Sequence, residues 1–268
     1  MKQEKNNPSQ HARMRRESGE ILAERGNRLL LIEAWMVMTL SVPLWMAVRN
    51  ACDALWVTVA APVELSEAFY PVLLWIVGCA LLLTVILPML WGVLQLAGRI
   101  ERGESPVLAD VFASFADKAS YRRGVWLSFG LLWRVLGTLG VTCLTYAALL
   151  RFAGGSLLWG SVGGVLIVLE LTLGVALLLG WFPVAAVALL ERDLSHSEIR
   201  ARASRMRRAH PFAGFYFFFG FLPWFCLGIL TVGILLLADV LPRMSVGYFR
   251  YCNFMTDSLI RMEEERYE

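Results

Sequence analysis

The chain has 268 residues, is 57% hydrophobic and carries a formal net charge of +3 at neutral pH. A soluble globular chain holds about 45–50% apolar residues on a comparable count, so the excess must face something other than water. The longest polar stretch is the first 28 residues, which leaves no room for a second, soluble domain and fits one membrane domain with short tails.

Residues 1–28 form a basic N-terminal segment with Lys2, Lys5, Arg13, Arg15, Arg16, Arg25 and Arg28. It does not read as a secretory leader, because the apolar run behind it is too long for one and lacks a small-residue cleavage pattern. A spanning helix needs about 20 mostly apolar residues. Four runs satisfy this: Leu29 to Val48, Phe69 to Ala97, Val125 to Leu150 and Leu158 to Leu190. The last exceeds one perpendicular span, which calls for tilt, a bend near Pro183 or projection past the membrane.

The block Phe212 to Leu241 reads either as one tilted helix or as the start of a hairpin. Gly228 and Gly233 flank Thr231, as suits a tight turn, so the adopted reading has a fifth span over 212–230 and a sixth over 232–251. The expected architecture is therefore all-α: six transmembrane helices over residues 29–252, with a charged tail over 253–268.

Charge sorting gives the orientation. On this topology 21 of the 25 Lys and Arg residues fall on one side of the membrane, and only Arg49 and Arg151 fall on the other. Cytoplasmic loops carry such an excess, so both termini are expected inside a bacterial cytoplasmic membrane. A basic surface pressed against a bilayer is a poor partner for nucleic acid.

Two cytoplasmic loops read as amphipathic interfacial helices. Ser105-Pro106 is an N-cap followed by Pro at the first helical position. Behind it Val107, Leu108, Val111, Phe112 and Phe115 share one face, with Asp110, Ser114 and Asp117 opposite. In the second loop Ser195 and Glu198 have capping-box spacing. Ile199, Ala203 and Met206 there make an apolar stripe expected to lie on the membrane, apolar side down. Arg200, Arg202, Arg205, Arg207 and Arg208 are its candidate contacts to anionic lipid. Glu101-Arg102, Ser105 and Ala113-Ser114 recur 90 residues later as Glu191-Arg192, Ser195 and Ala203-Ser204, which suggests a repeated unit of amphipathic helix plus hairpin.

The stretch Trp181 to Asn253 resembles the C-terminal half of a bacterial multi-pass membrane family, domain of unknown function 975. The resemblance rests on Ala188-Leu189-Leu190 running into Asp193-Leu194, the Ser195-to-Arg208 helix, the aromatic fifth span, Gly233-Ile234, Leu241-Pro242 and Tyr248-Phe249. Ser105 to Phe115 is similar to that family's central loop. Arg243 follows Pro242 where the family pattern has an aromatic residue. The resemblance implies a six-span integral membrane protein and brings no activity or substrate.

Ionisable groups inside the membrane are the natural functional candidates, because each is costly without a partner. Glu33 stands one turn into the first span. Arg134, Glu170, Asp239 and Arg243 form the candidate intramembrane cluster, with Arg134 and Glu170 near mid-bilayer. They read either as a substrate or proton path, or as neutralised packing with Arg134 paired to Glu170 and Asp239 to Arg243; the packing reading is preferred. Gly160 and Gly164 have small-xxx-small spacing. No enzyme motif is present, and Cys and His spacings match no metal or redox site, so neither metal nor cofactor is expected. The expected function is a non-enzymatic scaffold, assembly factor or lipid-associated component, whose partners are the bilayer, anionic lipid or another membrane protein. The alternative is a transporter or permease-like subunit.

Overall fold

The computed structural model describes residues 8–24, 26–60, 69–152, 157–191, 194–210, 213–231 and 233–267, and all regular structure among them is helical. The α-helices are α1 (Pro8–Ala23), α2 (Asn27–Thr39), α3 (Ser41–Leu55), α4 (Phe69–Leu81), α5 (Leu87–Glu101), α6 (Lys118–Phe152), α7 (Leu157–Leu179), α8 (Phe182–Leu190), α9 (His196–Ala209), α10 (Ala213–Leu230) and α11 (Leu241–Tyr267). A 3₁₀ helix covers Leu108–Phe115, and π-helical turns extend α3, join α4 to α5 and lead into α11.

Among the described residues four helical runs are long and apolar enough to cross a membrane: Asn27–Thr58, Phe69–Glu101, Lys118–Leu149 and Ser161–Leu190. A fifth is obtained if α9 and α10, bent by 78°, count as one broken span. Each of the four has 30 to 33 residues, or about 45–50 Å of helix against a hydrocarbon core of about 30 Å. The segment 234–251 is helical but is not among them, because it carries Asp239, Arg243 and Arg250.

Several boundaries differ from expectation. The first run continues ten residues past Val48, so Arg49 and Cys52, expected in an external loop, lie on α3, and Cys52 is buried. Nothing there stops a helix, since the polar residues alternate with Ala51, Ala54 and Leu55. The fourth run breaks at Gly180–Trp181, just ahead of Pro183 and in keeping with a bend near it. Pro183 opens α8, where its missing N–H costs nothing. The fifth expected span begins at Phe212, which lies outside the described residues.

The chain divides into two compact units, Met1–Ser128 with Phe221–Tyr251, and Phe129–Gly220 with Cys252–Glu268. In the first unit the core is built by Leu31 and Ala34 of α2, Val93, Leu96, Ala97 and Ile100 of α5, Val111, and Val246 and Phe249 of α11. Two glycines set its spacing. A β-carbon on Gly92 would overlap the Val111 carbonyl, so Gly92 lets the 3₁₀ backbone press against α5. A β-carbon on Gly98 would stand 3.0 Å from Phe249 Cδ1. By contrast α4 buries nothing, and Phe69, Trp75 and Ile76 are exposed. The run Phe69–Glu101 is thus apolar and uncovered in its first half and packed in protein in its second.

The loop before α6 departs from its expected form. Val107, not Ser105, caps the 3₁₀ helix, and Asp110 accepts a hydrogen bond from its backbone N–H at 2.9 Å. Three residues per turn put Val111 and Ser114 on the buried face and leave Val107, Phe112 and Phe115 exposed.

The second unit repeats the division. Along α7, Val165, Val168, Leu169 and Leu173 are exposed, whereas Pro183 to Leu189 of α8 are all buried. α9 packs against α8 and buries Ile199, Ala203 and Met206. The apolar stripe therefore faces protein; the expectation that it rests on lipid is corrected. α8 is apolar on every side and takes the stripe as its cover.

Candidate functional site

Asp239 lies in the π-helical turn ahead of α11, where the i,i+4 spacing brings Arg243 Nε to 2.9 Å from its Oδ1. Arg28, at the start of α2, reaches the same oxygen at 3.0 Å and also donates from Nε to the Ala238 carbonyl. Two guanidiniums thus neutralise one carboxylate, whose side chain is 12% exposed. Arg28 was read only as a topology charge; its role here had no signal in the sequence, because 210 residues separate it from Ala238.

A second network ties the N-terminal helix down. Arg250 Nη2 is 2.6 Å from Glu17 Oε2, and its Nη1 is 3.8 Å from Glu101 Oε1. Arg13 also binds Glu17 at 2.7 Å and, with Arg250, holds that carboxyl below its ordinary range.

In the second unit Arg134 and Glu170 are not partners, which corrects their expected pairing. Thr145 Oγ1 donates to Glu170 Oε1 at 2.5 Å. Thr145 is eleven residues beyond Arg134 on α6, or about 16 Å along the axis. Glu170 Oε2 is buried without a hydrogen-bond partner among the described residues, and so is Thr142 Oγ1, less than one turn from Thr145.

Arg134 instead donates to the Gly130 carbonyl at 2.5 Å and lies over the Trp181 ring, with Cζ 4.0 Å from its centroid. The face of an indole attracts a guanidinium. Gly130 permits this: a β-carbon there would overlap the Trp181 ring, so the indole lies directly against the α6 backbone. The Gly180–Trp181 break between α7 and α8 turns the ring into place. Arg207 comes to the same spot, with Nη1 3.4 Å from where a β-carbon on Gly180 would stand. Trp181 was read as part of a family resemblance and not as a site residue; only the fold sets it beside Arg134.

The rest of the α9 arginine set divides. Arg202 pairs with Glu191 at 2.6 Å and is neutralised. Arg200, Arg205, Arg207 and Arg208 are on the exposed face of α9. The helix begins with the expected box: Ser195 Oγ accepts from the Glu198 N–H, and Glu198 Oε2 accepts from the Ser195 N–H at 2.8 Å. The Ser195 hydroxyl also donates to Glu198 Oε2 at 2.6 Å, and this bond, with that from the Ser195 N–H, holds the Glu198 carboxyl below its ordinary range. At its other end His210 Nε2 is 2.6 Å from Ser258 Oγ, and burial lowers the imidazole pKa.

Remaining candidates resolve simply. Glu33 is exposed on α2. Gly164 faces open space, while Gly163 and Gly174 admit Leu149 and Thr138 and set the approach of α7 to α6; the surroundings of Gly160 are outside the description. On α10, Phe215, Tyr216, Phe219 and Trp224 are exposed, and Phe217 and Phe221 are buried. No group of three His, Cys, Asp or Glu among the described residues could hold a metal ion.

No protein-family model matches the chain, and no curated protein and no solved structure shows significant similarity to it.

Proposed function

We propose that the chain is an integral membrane protein with six crossings and both ends on the cytoplasmic face, working as a non-enzymatic scaffold or lipid-associated component. The observation that carries the topology is the sorting of 21 of the 25 Lys and Arg residues to one side of the apolar runs, and the contact of Arg250 with Glu17 and Glu101 keeps both ends of the first hairpin together. Glu17 sits on a charge-rich helix among Arg13, Arg16 and Glu20, so this contact belongs on an aqueous side. Groups that share an ion pair share a side, so the number of crossings between residues 17 and 101 is even. Two apolar runs lie in that interval.

The hairpin reading is supported by the residues that follow α10. Gly233 has φ +81°, its N–H binds the Gly228 carbonyl, and Thr231 Oγ1 accepts from the Leu235 N–H at 3.3 Å. Thr231 thus caps the helix that follows, while Gly233 closes the helix before it.

The scaffold reading rests on how the candidate charges are held. Asp239 is enclosed by Arg28 and Arg243, and Arg134 by Gly130 and Trp181, so three of the four candidate path residues serve local structure. A reporter that fluoresces only in the cytoplasm, fused after Glu268, should be bright in intact cells. A dark fusion together with labelling of the tail from the medium overturns the topology.

One observation favours the permease-like reading: the buried Oε2 of Glu170, unsatisfied among the described residues, on a carboxylate whose other oxygen accepts from Thr145. Glu170→Gln separates the two. Loss of a solute flux at unchanged protein level supports transport; unchanged physiology with altered thermal stability supports the structural role.

A further inference from the structure

We infer that Arg134, Trp181 and Arg207 form a binding site for the phosphate of an anionic inner-leaflet phospholipid. The inference rests on the membrane reading above. Its first support is charge. Arg134 is half-buried, and among the described residues its contacts are a backbone carbonyl and an aromatic face, with no carboxylate. Arg207, which converges on the same Gly180–Trp181 corner, also has no acidic partner among the described residues. Bringing like charges together at a half-buried position is unfavourable unless an anion joins them. The planar forks of two arginines match phosphate oxygens, which accept two parallel N–H bonds from each.

The second support is position. The cluster sits where covered protein gives way to uncovered apolar helix. On one side lie the fully buried α8 and the inner stripe of α9. On the other, Phe129 and Trp133 stack on the outside of α6 at 57% and 69% exposure, and Leu173 and Leu177 are exposed on α7. A lipid meets both surfaces: its phosphate the guanidiniums, its acyl chains the apolar face. Free inorganic phosphate uses only the first. Arg134 therefore reads as a headgroup-level residue rather than a mid-bilayer one, since the arginines of α9 beside it do not belong in hydrocarbon. Indole rings concentrate at that same level.

The test uses the full chain in nanodiscs of phosphatidylcholine with a minor fraction of phosphatidylglycerol, followed by detergent extraction and mass spectrometry of retained lipid. Wild type should retain phosphatidylglycerol above its bulk fraction. The double change Arg134→Gln, Arg207→Gln should weaken phosphatidylglycerol binding about thirtyfold, from the loss of two surface-level charges. Arg205→Gln with Arg208→Gln removes equal charge elsewhere on α9 and should keep most of it. Equal loss in both pairs means diffuse attraction and overturns the site. Absence of enrichment in wild type does the same. Binding of inorganic phosphate by the wild type without retained lipid assigns the cluster to a soluble anion and overturns the lipid assignment. Should Arg134→Gln not fold, Arg207→Gln alone, on the exposed face of α9, gives the same readout. A cytoplasmic tail reporter with no lipid enrichment leaves the topology standing and removes only this inference.

Discussion

Gly92 and Asp239 show how far single residues decide this structure. A methyl group on Gly92 would meet the Val111 carbonyl, and backbone cannot rotate away as a side chain can. Gly92→Ala should cost about 1–3 kcal/mol, the range for overpacking a close contact. Gly137→Ala, with nothing within 4 Å of its added carbon, should cost nothing measurable. Melting of both variants in one detergent checks the difference. Asp239→Asn leaves Arg28 and Arg243 facing each other without the carboxylate. Both guanidiniums are about half-exposed, so the expected loss is about 1–2 kcal/mol, below that of a fully buried pair. The pairing of Asp239 with Arg243 could be read from its four-residue spacing. The third member could not, because no local rule links Arg28 to residue 239.

At the scale of elements, α9 is the most legible and the most misleading. Its capping box follows from Ser195 and Glu198 in the sequence, and Ser195→Ala should cost about 1 kcal/mol. The partner of its apolar stripe did not follow, because a lipid surface and a buried helix impose the same periodicity. The folded-state pKa of Glu198 is lowered by the Ser195 bonds. Their stabilisation is therefore present above the ordinary glutamate pKa and is lost as pH falls through the lower folded value. His210 has the same sign for a different cause: burial lowers its pKa. Its neutral form is favoured in the fold, so stability held above about pH 6.5 declines on acidification toward the folded value. Protection of the amides near Ser258, taken relative to the base-catalysed intrinsic exchange rate, should fall between about pH 7.5 and 5.5, and His210→Gln should flatten that dependence. Protection independent of pH in the wild type contradicts it.

Across the first compact unit, Glu17 and Arg250 join segments 233 residues apart. Glu17→Arg should free α1 to proteolysis, and adding Arg250→Glu should restore protection if the opposite pair reforms. Continued protection in the single variant would show that Leu22 and Ser18, both buried, suffice to hold α1. Within each unit the long helices are uncovered toward one end and enclosed toward the other. Helices of 30 to 33 residues leave about ten residues beyond a bilayer. That excess is where protein core, ion pairs and the Arg134 corner are found.

The amino-acid order alone determined that this chain is helical and apolar enough to traverse a membrane, since both follow from composition and run length. Local spacing also determined the Ser195 cap and the Asp239–Arg243 pair. Only the tertiary structure decided which half of each apolar run is covered by protein, because Leu and Val serve lipid and core equally well. It likewise decided that Arg134 meets Trp181 rather than Glu170, since helix packing depends on where glycines such as Gly130 let a ring approach backbone.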